Sequence, residues 1–155
     1  MIFLTRRATF SASHYYWNEN WTAEKNQQVF GRCSNRNGHG HNYTLEVTVA
    51  GEPDPTTGFV IDLKGLKAII EEKILAAWDH RHLNLEVPEF AASKRIPTTE
   101  NMAISAWERL QPAIAAAHGA HLTCVRIYET QEIFAEYRGP HEQVLVRGVK
   151  YRGEL

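Results

Sequence analysis

The sequence predicts an α+β fold built on an antiparallel sheet. Three observations carry that expectation: a run with strand alternation ends at His14, two segments with helical spacing occupy the middle of the chain, and strand-like runs return after residue 121. Strands, then two helices, then strands put the helices on one face of a sheet rather than in crossovers between parallel strands.

Taken in order, residues 2–14 read as a strand in which Phe10, Ala12 and His14 share a face. Residues 15–30 have no period; Trp17, Trp21 and Phe30 sit among Asn, Glu, Lys and Gln, and the stretch reads as a long irregular segment of the kind that carries function in small domains. Residues 43–51 alternate cleanly, with Tyr43, Leu45, Val47 and Val49 on one face and Thr44, Glu46 and Thr48 on the other. His39 and His41 extend the first of those faces. Asp54-Pro55-Thr56-Thr57-Gly58 is a turn, and Asp62 caps a helix whose stripe is Leu66, Ile69, Ile70, Ile74 and Ala77. Pro97-Thr98-Thr99-Glu100 opens a second helix with Ala103, Ala106, Trp107, Leu110 and Ile114 on one side. Strands follow over residues 122–129 and 133–138, and Val144-Leu145-Val146 in the tail reads as a further strand. The open edges of such a sheet make closure through oligomers an expectation.

The length of 155 residues fits one domain, 1–155, with a sizeable core. With 43% hydrophobic and 23% charged residues the composition is that of a globular protein, not a disordered one. A formal net charge of -1 and the lack of a basic stripe argue against nucleic acid as a partner. No apolar run reaches the length of a membrane span, and Thr5, Arg6 and Arg7 break the only apolar start, so neither a membrane anchor nor a signal peptide is expected. Two cysteines without framework spacing fit a reducing cytoplasm. Cys124, inside an apolar strand, reads as a packing residue.

Chemistry concentrates in Gly31-Arg32-Cys33-Ser34-Asn35-Arg36-Asn37-Gly38-His39-Gly40-His41. Histidines at i and i+2 share a face if the segment is extended, and His14 is the best candidate for a third ligand. Three neutral imidazoles with no further protein ligand describe a catalytic Zn2+ site, whose fourth position stays open. A structural site would be closed, usually by several thiolates. The alternative makes His39 and His41 plain hydrogen-bonding residues in a Gly-rich turn. Cys33, behind the Asn35-Arg36-Asn37-Gly38 turn, could approach the same ion.

Asp79-His80 follows the first helix. A carboxylate beside an imidazole raises its basicity and fixes its tautomer, which suits proton transfer; the plainer reading is a polar helix exit that complements the dipole. Glu129 falls with Val125 and Ile127 on the apolar face of its strand, where an unpaired carboxylate is costly. Its partner is either a ligand with an amidine-like pair of N–H groups or an Arg or Lys of the protein.

These residues together resemble the 6-pyruvoyl-tetrahydropterin synthase family, which includes the 6-carboxy-tetrahydropterin synthases of queuosine biosynthesis. The similarity runs from Phe10–His14 through Phe30-Gly31-Arg32-Cys33, Gly38-His39-Gly40-His41-Asn42-Tyr43 and Asp54-Pro55-Thr56-Thr57-Gly58. It continues through Asp79-His80, Leu83-Asn84, Pro97-Thr98-Thr99-Glu100-Asn101 and Tyr128-Glu129-Thr130, covering about residues 1–140. The resemblance implies a T-fold subunit, an antiparallel four-stranded sheet with two helices on one face. Three such subunits close a barrel and two trimers stack into a hexamer, with active sites at subunit interfaces.

It implies 7,8-dihydroneopterin triphosphate as substrate and zinc held by His14, His39 and His41. Cys33 becomes the general base, its thiolate favoured by the nearby cation; Asp79 and His80 become a proton relay. Glu129 becomes the anchor of the pterin ring, supported by Thr98 and Thr99. Trp78 departs from the family pattern, where Leu usually precedes the Asp-His pair. Residues 34–38 separate Cys33 from His39, the spacing of the pyruvoyl-forming type; carboxy-forming members usually have a shorter loop. Two rival classes remain for comparison. A cupin also uses H-x-H with a following Glu, but Glu46 falls on the wrong strand face; a non-catalytic zinc module gives Cys33, Asp79 and Glu129 no role.

Overall fold

The computed structural model describes residues 1–117 and 119–140. Strand β1, Ile2–His14, pairs antiparallel with β2, His39–Gly51, over their whole lengths, from Ile2 opposite Gly51 to His14 opposite His39. β2 pairs with β4, Ala120–Tyr128, and β4 with β5, Phe134–Tyr137, both antiparallel. The expected four strands are therefore present, and the sheet has a fifth member. Arg81–His82, β3, pairs parallel with Ala12 and Ser13 on the outer edge of β1, giving the order β3-β1-β2-β4-β5. Two residues carry no period of their own, so only the register of β1 could place them.

Residues 15–30 are more ordered than their pattern suggests. Helix α1, Ala23–Phe30, starts at Thr22, whose hydroxyl accepts from the Lys25 N–H. Its one buried residue is Asn26, which accepts from Asn18 N–H and donates to the carbonyls of Asn18 and Thr22. A polar side chain therefore holds this helix, and an apolar stripe was the wrong signal to seek.

Asp62 caps α2, Leu63–Ile70, accepting from the amides of Lys64 and Gly65. The helix runs on through a π turn, Glu71–Leu75, into α3, Ala76–Trp78. Leu66, Ile70, Ile74 and Trp78 are all at most 1% exposed although each lies four residues from the last. Four-residue steps overshoot a 3.6-residue turn by about 40° each, so a straight α-helix would carry Trp78 off the buried face. The wider π turn absorbs part of that drift. Trp78 then packs edge-on against Phe10 and tilted against Phe90, with the Arg109 guanidinium 5.9 Å from its ring. Replacing it by Ala is expected to cost about 3–5 kcal/mol, read from urea titration at fixed protein concentration.

A short helix, α4 (Leu83–Glu86), leads to the loop before α5, Thr99–Ala116, whose N-cap is Thr98. The helices α2 and α5 cover the face formed by Phe10, Tyr43, Leu45, Val47, Val125 and Ile127, making one apolar cluster with them. The opposite face carries Arg7, Glu46, Arg126, Glu136 and Arg138 as a cross-strand chain of ion pairs. Val144-Leu145-Val146 lies outside the described residues.

Candidate metal centre and active site

The register of the first hairpin creates the centre. His14 lies directly opposite His39, and Ala12 opposite His41, so all three imidazoles stand on the helix-covered face at one end of the β1–β2 pair. Their ring centroids are 4.7, 5.0 and 5.2 Å apart. The turn before His39 fixes that register. Gly38 N–H donates to the Asn35 carbonyl at 2.9 Å, and Asn37 N–H to the Asn35 side chain. Gly38 has φ +78, and a Cβ there would lie 2.9 Å from His82 Nε2 and 3.1 Å from the His14 carbonyl oxygen. Only glycine meets both demands.

Glu129 joins the histidines. One ligand atom from each of His14, His39, His41 and Glu129 lies within 4.8 Å of every other, a group able to hold a metal ion. Cys33 is not a member, so the fourth candidate ligand atom beside the three imidazoles comes from the carboxylate and not from the thiol. His14 is fully buried, and its Nδ1 donates to the Pro97 carbonyl at 2.9 Å. A carbonyl can only accept, so the proton sits on Nδ1 and the Nε2 lone pair faces the cluster. Tyr43 places its hydroxyl 3.2 Å from the same Nδ1. Across the cluster, His14 Nε2 and His39 Nε2 face each other at 3.2 Å. His41 Nε2 is 3.1 Å from Glu129 Oε1 but out of line for a hydrogen bond, and it is buried without a hydrogen-bond partner among the described residues.

Opposed imidazole nitrogens and an orphaned one beside a carboxylate fit a bound cation. Burial also lowers the pKa of His14 to about 4 and that of His41 below its usual range, so both are neutral, the form that ligates.

The Glu129 carboxylate is well held. Its Oε2 accepts from the hydroxyls of Thr99 and, at 3.3 Å, of Tyr16. Thr99 thus touches Glu129 directly, whereas the Thr98 hydroxyl accepts from Asn101 N–H as a helix cap. Cys33 sits half-buried in a 3-10 turn, Gly31–Ser34, whose carbonyl at Cys33 accepts from Tyr16 N–H at 2.7 Å. Burial and the negative charge of Glu129 push the Cys33 thiol up, so the protein's own groups do not favour the thiolate.

Asp79 and His80 do form a pair, with His80 Nδ1 3.0 Å from Asp79 Oδ2. Asp79 also accepts from Ser11 N–H at 2.8 Å, which holds its carboxyl below the usual carboxylate range. The His80 side chain is 83% exposed, with φ +57 at the sheet edge. It shares with His41 the lining of a cavity of about 320 Å3, together with Ser11, Ser13, Gly40 and Asn42.

Residues 3–140 match the family model described as 6-pyruvoyl tetrahydropterin synthase. The chain belongs to that family. It is 43% identical over 136 residues to the 6-pyruvoyl tetrahydrobiopterin synthase of Homo sapiens, covering 88% of this chain and 90% of that one. The 6-carboxy-5,6,7,8-tetrahydropterin synthase of Rickettsia typhi is more distant, at 29% identity over 149 residues. The solved structure of Caenorhabditis elegans 6-pyruvoyl tetrahydropterin synthase superposes with a TM-score of 0.82 at 37% identity, covering 90% of this chain and 96% of that one. The architecture is thus the T-fold of the 6-pyruvoyl tetrahydropterin synthases.

Sequence reasoning missed Tyr16, Tyr43 and the Pro97 carbonyl as parts of the site. Tyr43 could have been found, because it follows His39 and His41 on their own strand face. Nothing in the pattern of residues 15–30 marks Tyr16.

Proposed function

We propose that the protein is a zinc-dependent 6-pyruvoyl-tetrahydropterin synthase of the cytoplasm, converting 7,8-dihydroneopterin triphosphate by internal proton transfers and loss of triphosphate. The observation that carries this reading is the convergence of His14, His39 and His41, one tautomer fixed by Pro97, in a chain of this family. Imidazole donors suit zinc, which when bound there would supply Lewis acidity toward the substrate's side-chain hydroxyls.

The chain's own groups divide the remaining work. Glu129 accepts the N–H edge of the pterin and orients it. Cys33, as thiolate, takes the proton from the substrate side chain. His80 hands a proton on, its tautomer held by Asp79. The exposure of His80 suits a site completed between subunits, and we read the assembly as trimers closed through sheet edges and stacked into a hexamer.

Mass spectrometry of the product from 7,8-dihydroneopterin triphosphate tests the reading. Pyruvoyl-tetrahydropterin is expected, in keeping with the five-residue loop 34–38; a 6-carboxy product would move the protein to the queuosine branch. Glu129→Gln keeps the shape but turns one acceptor into an NH₂. Pterin binding, followed by fluorescence titration, is expected to weaken by about 1.5–3 kcal/mol, the worth of a hydrogen bond to a charged group. Unchanged affinity would make Glu129 an internal partner of His41 instead.

A further inference from the structure

Tyr16 touches three separate parts of the site at once. Its amide donates to the Cys33 carbonyl at 2.7 Å. Its ring stands edge-on to the His14 imidazole, centroids 4.9 Å apart at 70°, and edge-on to Phe30 at 5.9 Å and 73°. Its hydroxyl reaches Glu129 Oε2 at 3.3 Å. A residue pinned by its own backbone and by two rings has little rotamer freedom left, so its hydroxyl is a fixed point.

Glu129 depends on such a point. It lies one residue beyond the end of β4, in a segment held by its own N–H to the Ile133 carbonyl at 3.1 Å. Beyond the strand the sheet no longer aims the side chain. Tyr16 and Thr99 both donate to Oε2, while Oε1 is the oxygen turned toward His41. Thr99 belongs to the first turn of α5, whereas Tyr16 is continuous with His14 and tied to Cys33.

We propose that Tyr16 is a positioning residue: its hydroxyl fixes the orientation of the Glu129 carboxylate toward the bound pterin and locks that carboxylate to the turn carrying Cys33. The inference rests on the reading of Glu129 as the pterin anchor. Tyr16 acts through Glu129 and transfers no proton itself. Losing the hydroxyl leaves Thr99 but removes the second tether on Oε2, so the carboxylate can pivot about one contact and the ligand meets a less prepared acceptor.

Tyr16→Phe removes the hydroxyl and keeps the ring against His14 and the amide on Cys33. The expected result is a rise of about tenfold in KM and in the dissociation constant for neopterin measured by fluorescence. Zinc content should stay at the wild-type value and kcat within about threefold. A purely packing role would instead lower zinc content or thermal stability with no such split. The decisive measurement is the cycle with Glu129→Gln: if Tyr16 acts through Glu129, adding Tyr16→Phe to Glu129→Gln changes neopterin affinity by less than about twofold. Full additivity, or unchanged neopterin binding in Tyr16→Phe, overturns the proposal while leaving the function untouched. A wild-type protein that binds neopterin but fails to turn over 7,8-dihydroneopterin triphosphate overturns the functional reading and leaves the cycle intact. Absence of neopterin binding by wild type overturns both.

Discussion

Cys33→Ala is expected to lose about a hundred- to ten-thousand-fold in kcat, the usual contribution of a general base, while keeping zinc, fold and pterin affinity. The geometry makes the two halves of that result separable. Cys33 stands outside the group of four side chains that can hold the ion, so removing its sulfur removes no ligand. Its backbone tie to Tyr16 N–H survives the substitution, so the turn Gly31–Ser34 keeps its place. Near-normal turnover in Cys33→Ala would defeat the assignment, and so would loss of zinc, which would recast Cys33 as a ligand.

The pH profile gives the same hypothesis a sign. Burial and Glu129 both raise the Cys33 pKa, and with Cys33 as the proposed base the thiolate would be the working form, so kcat should climb with pH through the thiol's titration. Removing the negative neighbour in Glu129→Gln favours the thiolate, and the rising limb should move to lower pH. A limb that stays fixed, or moves up, would mean that another group is being titrated.

How much of this was open to sequence reading depends on the range of the interaction concerned. The strand faces of Phe10, Ala12 and His14 and of His39, His41 and Tyr43 follow from local alternation, and both are as expected. So is the cap Asp62, because a cap is decided within three residues; Thr98, expected as a pterin contact, instead caps α5. What alternation cannot supply is which strand residue faces which. The pairing of His14 with His39 is set by the turn at Gly38 and the full length of the β1–β2 ladder, and three histidines become one site only through that register.

The same limit hid the fourth member. Glu129 was legible as a carboxylate on an apolar face, but its place beside His41 comes from β4 lying next to β2. The π turn at Glu71–Leu75 and the polar core of α1 were illegible for another reason: each substitutes for the apolar period on which helix reading depends.

The histidine double variant His39→Ala, His41→Ala is expected to purify with essentially no zinc while remaining folded, since the apolar cluster of Phe10, Leu45, Ile70, Trp78 and Leu110 does not include either side chain. Metal content is read by atomic absorption and folding by circular dichroism. Full zinc occupancy in that variant would place the ion elsewhere. In the wild type His14 contributes an acid-resistant ligand. Protons displace a metal by occupying its ligands, and burial holds His14 unprotonated down to about pH 4 instead of the ordinary 6.5. At His14, therefore, protons compete with the metal only well below the pH that protonates an exposed histidine.

The zinc-free protein should show the other side of the same shift. An unfolded chain takes up the His14 proton near pH 6.5 and the folded one only near 4, so stability is complete above 6.5 and falls as pH drops toward 4. Urea midpoints of chelator-treated protein measured across that window should decline with acid. A flat profile there would show that the His14 imidazole is not held neutral by the buried end of the β1–β2 ladder.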